Sequence, residues 1–289
     1  MLAQFIANGL ITGVLYSMVA VGFAIAYNTT HVFHIAAAGV YTAAAYCFYY
    51  AVRTLGTPVW LGALAALACA AALNTLCETV AYRPLARRGA APGTVMIASI
   101  GLLAILVNLT ALLFGNEVKI IDNAIRPIWR MGPLILSRPQ IVQLAAGATA
   151  LAGLAAFLRW SSFGLKIRAL GNNPVLFGVF GYRSDIARIG VFAIGGAFLG
   201  AAACLSAYDV GMSPHTGMPV LLNAMVAMIV GGAGRYTACI AGGVLLGVLQ
   251  ALVVWRLAAN WQPAVTFLLL LVFLFLRPQG LFGIRKRIA

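Results

Sequence analysis

The chain contains nine runs of mostly apolar residues. The length of most of these runs is close to the ~20 residues that a helix needs to cross a bilayer. Only 8% of the residues are charged, whereas a soluble domain uses about 25% to cover its surface. This shortage excludes a water-soluble enzyme and a nucleic-acid-binding domain, despite a formal net charge of +14. We therefore predict an all-α polytopic membrane protein, with a single membrane domain over residues 1–289. The predicted spans are Phe5–Tyr27, His34–Val52, Trp60–Val80, Thr94–Phe114, Ile141–Leu158, Ile186–Tyr208, Val220–Gly232, Cys239–Leu257 and Trp261–Leu276.

Two of these runs are irregular. Val220–Gly232 is short and rich in glycine, which is typical of a half-helix or a re-entrant segment. The run at His34–Val52 follows the polar stretch Asn28–His31, which predicts a helix broken near the membrane. Non-helical backbone at membrane depth is tolerated only where it is buried or lines a cavity. We therefore expect about eight to nine crossings.

Small residues recur at the spacing that lets membrane helices pack closely. Three G-x-x-x-G pairs lie in apolar stretches, where bare backbone allows two helices to approach. They predict a tightly packed bundle and are not evidence for a ligand site. The pairs are Gly9/Gly13, Gly196/Gly200 and Gly243/Gly247.

The positions of Lys and Arg predict the orientation, because cytoplasmic loops carry an excess of both. Basic clusters follow the third run at Arg83–Arg88, the fifth run in the loop 159–184, and the last run in the tail 277–289. An alternating path places these three segments on one side if Val220–Gly232 crosses the membrane, and we predict that this side is the cytoplasm. The segment 116–140 then lies outside, although it also contains four basic residues, Lys119, Arg126, Arg130 and Arg138.

The outer segment 116–140 has short β-like pieces separated by glycine and proline, which indicates extended structure. Two interpretations stay open for it. It is either a plain connecting loop or a docking surface for an external partner.

The sequence lacks the motifs of common membrane-associated chemistry. It has no H-E-x-x-H, no G-x-S-x-G and no Walker A motif, so we predict that the chain is not an enzyme. Ion-driven transporters place ionisable residues in mid-membrane, but Glu78 and Arg256 both fall near the ends of runs. His31 and His34 are three residues apart without a third ligand, so we expect polar lining of a broken helix and no metal site. The energy for any transport must then come from another subunit.

One basic, amphipathic segment stands apart from the spans. Residues 161–174 carry Lys166 and Arg168 among apolar residues, and Phe177 and Phe180 follow. Such a helix lies along the inner face of the membrane, where it either docks a soluble subunit or is held by lipid headgroups. The residues alone do not separate these two roles.

Ordered motifs along the chain resemble the permease subunits of branched-chain amino acid ABC importers. The segment 161–181 is similar to the coupling-loop signature of that family, with Ser-x-x-Gly-x-x-x-Arg-Ala followed by Asn-Pro and Gly. Four further stretches match family motifs in the same order, and the resemblance covers nearly the whole chain. They are Gly13–Gly22, Tyr82–Leu85, Gly231–Gly234 with the glycines that follow, and Arg277–Gly283.

The resemblance implies a multi-pass protein of the bacterial inner membrane that contacts membrane lipid and does not bind nucleic acid. Its implied partners are a second permease subunit, two cytoplasmic ATPase subunits and a periplasmic solute-binding protein. No cofactor is expected, because ATP binds to the partner subunits and not to this chain. The residues expected to couple the chain to the ATPase are Ser161, Gly164, Arg168, Ala169, Asn173 and Gly181.

Departures from the family pattern bear on the solute. Asn223 stands where the family has lysine, Phe177 stands where it has alanine, and residues 35–38 differ from the usual motif before the second span. Permeases for urea or short-chain amides are closely similar, so they stay an alternative. An ATP-independent channel or facilitator is an alternative from another class. Candidates for the translocation path are Tyr16, His34, Tyr41 and Asn223.

Overall fold

A computed structural model of the chain describes residues 2–121, 128–131, 134–232, 234–277 and 279–282. In this part the chain is almost entirely helical, and one two-stranded sheet interrupts the helices. The helices are α1 (Leu2–Thr30), α2 (Ala37–Tyr49), α3 (Val59–Cys77), α4 (Arg83–Arg87), α5 (Pro92–Phe114), α6 (Arg138–Trp160), α7 (Ser162–Asn172), α8 (Pro174–Val179), α9 (Ser184–Val210), α10 (Gly217–Gly231), α11 (Tyr236–Arg256) and α12 (Gln262–Leu276). The strands are β1 (Ile128–Met131) and β2 (Leu134–Ser137), and π-helical turns lie at Tyr50–Thr54 and Glu78–Tyr82.

Seven helices of the described chain are long and apolar enough to cross a membrane. The helix α10 has 15 residues and α2 has 13, so at 1.5 Å per residue both are shorter than a full crossing. The all-α polytopic prediction is confirmed. Seven long helices are fewer than the eight to nine crossings expected, and whether the short α10 and α2 also cross stays open. The seven are Leu2–Thr30, Val59–Arg87, Pro92–Phe114, Arg138–Trp160, Ser184–Val210, Tyr236–Arg256 and Ala259–Leu276.

The break before the second span lies slightly later than the polar stretch suggested. The helix α1 continues through Thr30, and the non-helical backbone occupies residues 31–36. His31 adopts a positive φ of 55°, which ends the helix because that backbone conformation is not helical. Thr29 and Thr30 still belong to α1, and their hydroxyls donate to carbonyls one turn earlier.

The chain divides into two compact units. The first contains residues 1–24, 123–151 and 220–289. In it, α1 packs against α11 through glycines: a Cβ on Gly13 would lie 2.8 Å from Cα of Val244, and one on Gly9 would lie 2.8 Å from Cα of Val248. Two of the three G-x-x-x-G pairs, Gly9/Gly13 and Gly243/Gly247, therefore form one interface.

The second unit contains residues 25–122 and 152–219. Its largest contact joins α3 and α9, and α2 packs against both. The third glycine pair lies in this contact, since a Cβ on Gly200 would meet Cβ of Ala70 at 2.8 Å and one on Gly196 would meet Cα of Ala71 at 2.9 Å. The predicted close packing is thus present in each unit.

The described part of the segment 116–140 contains the expected extended structure. Strands β1 and β2 pair antiparallel, with Trp129 opposite Leu136. The side chain of Gln4 forms two 2.8 Å hydrogen bonds with the backbone of Ile135, which attaches the hairpin to the start of α1 within the first unit. Residues 122–127 and 132–133 lie outside the described residues, as do residue 278 and residues 283–289 of the tail.

Candidate functional site

Ion pairs gather two of the basic segments at one end of the second unit. The guanidinium groups of Arg83 and Arg87 both pair with the carboxylate of Asp185, at 2.7 Å for Arg87. One turn away, Arg188 donates a 2.5 Å hydrogen bond to Glu78. The segment after α3 therefore meets the start of α9, as expected if both lie on the same side of the membrane.

The opposite end of α9 carries the start of the predicted outer segment. Lys119 and Met212 form an antiparallel bridge with two backbone hydrogen bonds of 2.8 and 2.9 Å. The 27 residues of α9 separate this bridge from Asp185 by about 40 Å at 1.5 Å per residue. This length fits a bilayer, so the basic end and the Lys119 end belong to opposite faces. The assignment of the basic end to the cytoplasm stays a prediction.

The candidate coupling segment forms two short helices, α7 and α8. Ser161 caps α7, because its hydroxyl accepts a 2.9 Å hydrogen bond from the backbone N–H of Gly164. Gly164 is buried against the end of α6, and a Cβ there would lie 2.7 Å from Cα of Leu158. The serine thus starts the helix, and the glycine lets it fold back tightly against the preceding one.

The second half of the coupling segment has its own caps. Asn173 ends α7 and begins α8, and its side-chain oxygen accepts 3.0 Å hydrogen bonds from the N–H groups of Val175 and Leu176. Pro174 occupies the first turn of α8, where no N–H is needed. Gly181 has φ +76°, which an L side chain rarely adopts, so the turn into α9 favours glycine. Three of the predicted residues, Ser161, Asn173 and Gly181, therefore shape this segment.

Apolar contacts fix α7 and α8 on α9. Leu170, Phe177 and Ala187 form a buried cluster. The ring of Phe177 stacks on that of Tyr182 with centroids 5.2 Å apart. Phe163 packs on Gly190, where a Cβ would lie 3.0 Å from its Cε1. The phenylalanine that departs from the family pattern at position 177 therefore packs between α7 and the start of α9.

The outer surface of this helical pair is apolar and basic. Arg168 and Ala169 are exposed on α7, and a guanidinium nitrogen of Arg168 lies 3.5 Å from the carbonyl oxygen of Arg159. The Lys166 ammonium lies 5.5 Å from the ring centroid of Tyr182. The helix α8 exposes three large apolar side chains, and Phe180, which directly follows it, is 75% exposed. We define the α7–α8 surface as Arg168 and Ala169 together with Val175, Leu176, Val179 and Phe180.

Two of the candidate path residues are joined in the first unit. The side-chain amide of Asn223 on α10 donates a 3.2 Å hydrogen bond to the hydroxyl of Tyr16 on α1. Gln250 on α11 donates to Asn223 at 3.0 Å and to Thr266 on α12 at 2.6 Å. Four helices thus supply an uncharged polar cluster, which we call the Asn223 cluster, within the first unit.

A third candidate, His34, belongs to a different cluster in the second unit. Its side chain is 1% exposed and is hydrogen-bonded to Asn74 through Nε2 and to the hydroxyl of Tyr82 through Nδ1 at 2.8 Å. Tyr82 donates to Ser99 at 2.8 Å, and Asn74 donates to the carbonyl of Phe192 at 2.7 Å. The irregular backbone at 31–36 is therefore held by a closed polar network.

The fourth candidate, Tyr41, lines a narrow crevice in the second unit. The crevice lies between α2 and the end of α9, beside Met212, and the residues Ser206, Ser213 and Thr216 also line it. Tyr41 and His34 are thus at different places in this unit. Among the described residues, no three His, Cys, Asp or Glu side chains come together as a metal site would require.

Comparison with known proteins identifies the family. The sequence model of the family described as "Branched-chain amino acid transport system / permease component" matches residues 5–274. The chain belongs to this permease family. The resemblance noted in the sequence is therefore confirmed, and the chain is a membrane permease component of branched-chain amino acid ABC transport.

Curated relatives match almost the full length of this permease. It is 29% identical over 294 residues to the high-affinity branched-chain amino acid transport system permease protein BraD of Pseudomonas aeruginosa, covering 97% of this chain and 95% of the relative. The corresponding LivH protein of Salmonella typhimurium is 27% identical, with 96% and 94% covered. A probable LivH of Methanocaldococcus jannaschii is 23% identical, with 92% and 88% covered.

A solved structure shares the fold of this permease. The structure titled "PsaBC from Streptococcus pneumoniae in complex with Fab" contains a chain that matches with a TM-score of 0.55 and 15% sequence identity, and 98% of both chains is covered. At this identity the likeness concerns the fold alone. It shows that this chain shares its fold with a protein of known structure.

Several polar residues of the permease could not be placed from the sequence. Asn74, Ser99, Gln250 and Thr266 are all buried, and each interrupts an apolar run. A buried polar side chain must find a hydrogen-bond partner, so each signalled an internal contact. Which helix supplies that partner follows only from the packing.

Proposed function

We propose that this permease is the membrane-spanning subunit of a bacterial ABC importer, and that it carries branched-chain or related hydrophobic amino acids across the inner membrane. In this proposal a periplasmic binding protein delivers the solute, and two cytoplasmic ATPase subunits supply the energy. A second permease subunit completes the pathway. Membership in the permease family supports the class, and the high-affinity branched-chain systems named for its relatives support the solute.

The α7–α8 surface is the proposed site of ATPase docking. Large apolar side chains that are rimmed by cations suit a protein interface, because apolar groups give binding energy and charges give orientation. The surface is anchored on α9 by Phe163 and Phe177, so a force applied to α8 moves the start of α9. We assign coupling to Ser161, Gly164, Arg168, Ala169, Asn173 and Gly181, with Arg168 as the charged contact.

Contacts within the second unit offer a route onward from α9. Arg188 holds Glu78 at the start of the π-helical turn Glu78–Tyr82, and Tyr82 at its end bonds His34. A shift of α9 would therefore reach the irregular backbone at residues 31–36 through one short turn. Alternating access would then be a ligand- and ATP-biased shift between two packings.

The solute path is proposed to use uncharged polar groups. Tyr16 and Asn223 offer a hydroxyl and an amide without a formal charge, and Gln250 donates a hydrogen bond to Asn223. Such groups can exchange hydrogen bonds with a passing amino acid without trapping it as a buried charge would. Selection among solutes is then left largely to the binding protein.

Uptake by proteoliposomes that contain the full complex tests this proposal. Leucine uptake should require ATP, the ATPase, the binding protein and this chain, and omission of any one should abolish it. Excess isoleucine and valine should compete, whereas excess urea or acetamide should not. Flux through this chain alone would favour a facilitator, and competition by the amides alone would favour an amide importer.

A further inference from the structure

A basic cavity lies at the end of the third span, within the second unit. It has a volume of about 370 Å³ and is lined by the side chains of Thr79, Arg83, Pro84, Arg87 and Arg88. Three guanidinium groups therefore face one concave surface at the basic end of the second unit.

The positive charge of this cavity is only partly balanced. Asp185 pairs with both Arg83 and Arg87, and Arg87 remains 64% exposed. Three arginines against one carboxylate leave a formal +2. The Nε of Arg83 is buried, and it donates no hydrogen bond within the described chain. The exposed side chains of Arg87 and Arg88 thus offer positive charge and N–H donors to an anion with several acceptor oxygens, and guanidinium groups match phosphate geometry.

An apolar surface leads into the cavity along the same helix. Leu76 is 54% exposed and Val80 is 65% exposed, and they precede Arg83 by seven and three residues. Thr79, Arg83 and Arg87 follow one another at four-residue spacing, so they form a row beside Leu76 and Val80. An exposed apolar row on a spanning helix faces acyl chains, and at its end it meets the arginines.

We propose that this cavity binds the phosphate headgroup of an anionic phospholipid, with one acyl chain lying along Leu76 and Val80. A free phosphate would use only the arginines, whereas a lipid uses both surfaces. The bound lipid would lie beside the Asp185 ion pairs that join α4 to α9, so it would stabilise that junction. The site does not depend on which solute the permease carries.

Native mass spectrometry of the purified full chain in neutral detergent tests the site. Phosphatidylglycerol is titrated against phosphatidylcholine with the same acyl chains. The variant Arg87→Gln/Arg88→Gln should bind phosphatidylglycerol about thirtyfold more weakly, because each of the two basic residues near a lipid surface contributes about 1 kcal/mol. Phosphatidylcholine binding should not change. Arg53→Gln is the matched control, since Arg53 is an exposed arginine near the other end of α3 and should bind as the wild type does.

Two further arms separate the sources of the anion. Val80→Asn keeps all three arginines but makes the apolar row polar, and it should weaken phosphatidylglycerol binding. Arg88→Gln, at an exposed position, keeps the apolar row and should also weaken phosphatidylglycerol binding. Glycerol 3-phosphate should compete poorly, because it lacks the acyl chain. Equal binding by wild type and Arg87→Gln/Arg88→Gln would overturn the proposal, as would competition by glycerol 3-phosphate at the same concentration as the lipid. If Arg87→Gln/Arg88→Gln binds lipid as the wild type does but no longer associates with the ATPase, the proposal is also overturned. The arginines would then form a protein contact.

Discussion

The Nε of Arg188 donates a 2.5 Å hydrogen bond to a carboxylate oxygen of Glu78 whose side chain is fully buried. This pair joins α9 to the π-helical turn Glu78–Tyr82, and Arg188 lies one helical turn along α9 from Asp185. The other carboxylate oxygen of Glu78 has no hydrogen-bond partner within the described chain. The two side chains therefore depend chiefly on each other for charge compensation.

Breaking this pair from one side should destabilise the second unit. Removal of one partner from a buried ion pair costs roughly 3–5 kcal/mol, because the other charge is left uncompensated. We expect Glu78→Gln to lower the apparent Tm of the detergent-purified chain by several degrees. The double variant Glu78→Gln/Arg188→Gln should recover much of the loss. A double variant that is less stable than Glu78→Gln would contradict this explanation.

A side chain at Gly13 should separate α1 from α11. Because a Cβ there lies 2.8 Å from the backbone of Val244, Gly13→Val cannot be accommodated by a rotamer change. Overpacking of this kind costs roughly 1–3 kcal/mol. We expect a clear drop in the thermal stability of the first unit. The matched control is Gly101→Val on α5, where a Cβ meets nothing within 4 Å. Equal effects of the two substitutions would refute the packing role.

The spans were predictable because lipid imposes a length and a composition on every crossing helix. The helix α5 starts two residues before the predicted start and ends at the predicted residue, and α9 extends two residues beyond the prediction at each end. The glycine spacing also predicted close helix contacts. The glycine spacing did not predict that Gly13 faces Val244. Each G-x-x-x-G pair describes one helix and carries no information about the helix that packs against it.

Gly164 should be essential for the placement of the coupling segment. A Cβ at this position would lie 2.7 Å from Cα of Leu158, so Gly164→Ala should push α7 away from the end of α6. We expect leucine uptake to fall at least several-fold while the chain still inserts and purifies. Gly178→Ala on α8 is the matched control, because its Cβ would meet nothing within 4 Å. If Gly164→Ala supports full uptake, tight packing there is not needed.

The Asn223 cluster should influence which solutes pass. Asn223→Leu removes the bond to Tyr16 and leaves Gln250 with one fewer acceptor. We expect uptake to fall about tenfold and the ratio of leucine to valine uptake to change. Thr12→Val on α1 is the control, since the Thr12 hydroxyl bonds only its own helix at Asn8 among the contacts of the structure. A loss of stability with an unchanged solute ratio would mean that the cluster is purely structural.

The candidate site was less predictable than the spans. The sequence placed Ser161, Asn173 and Gly181 in one segment, and their capping and turn roles follow from local chemistry that a sequence can carry. By contrast, the contact of Asn223 with Gln250 and Thr266 unites α10, α11 and α12. Such a contact depends on how helices rotate about their axes, which apolar runs do not determine.

Reversal of the charge at Arg168 tests most directly how the energy of ATP hydrolysis reaches this permease. In proteoliposomes with the ATPase and the binding protein, the ratio of ATP hydrolysed to leucine imported is measured for wild type, Arg168→Glu and the control Arg53→Glu. We predict that Arg168→Glu inserts normally and hydrolyses ATP with at least tenfold less uptake, whereas Arg53→Glu keeps the wild-type ratio. A wild-type ratio in Arg168→Glu would contradict the proposed coupling through α7 and α8.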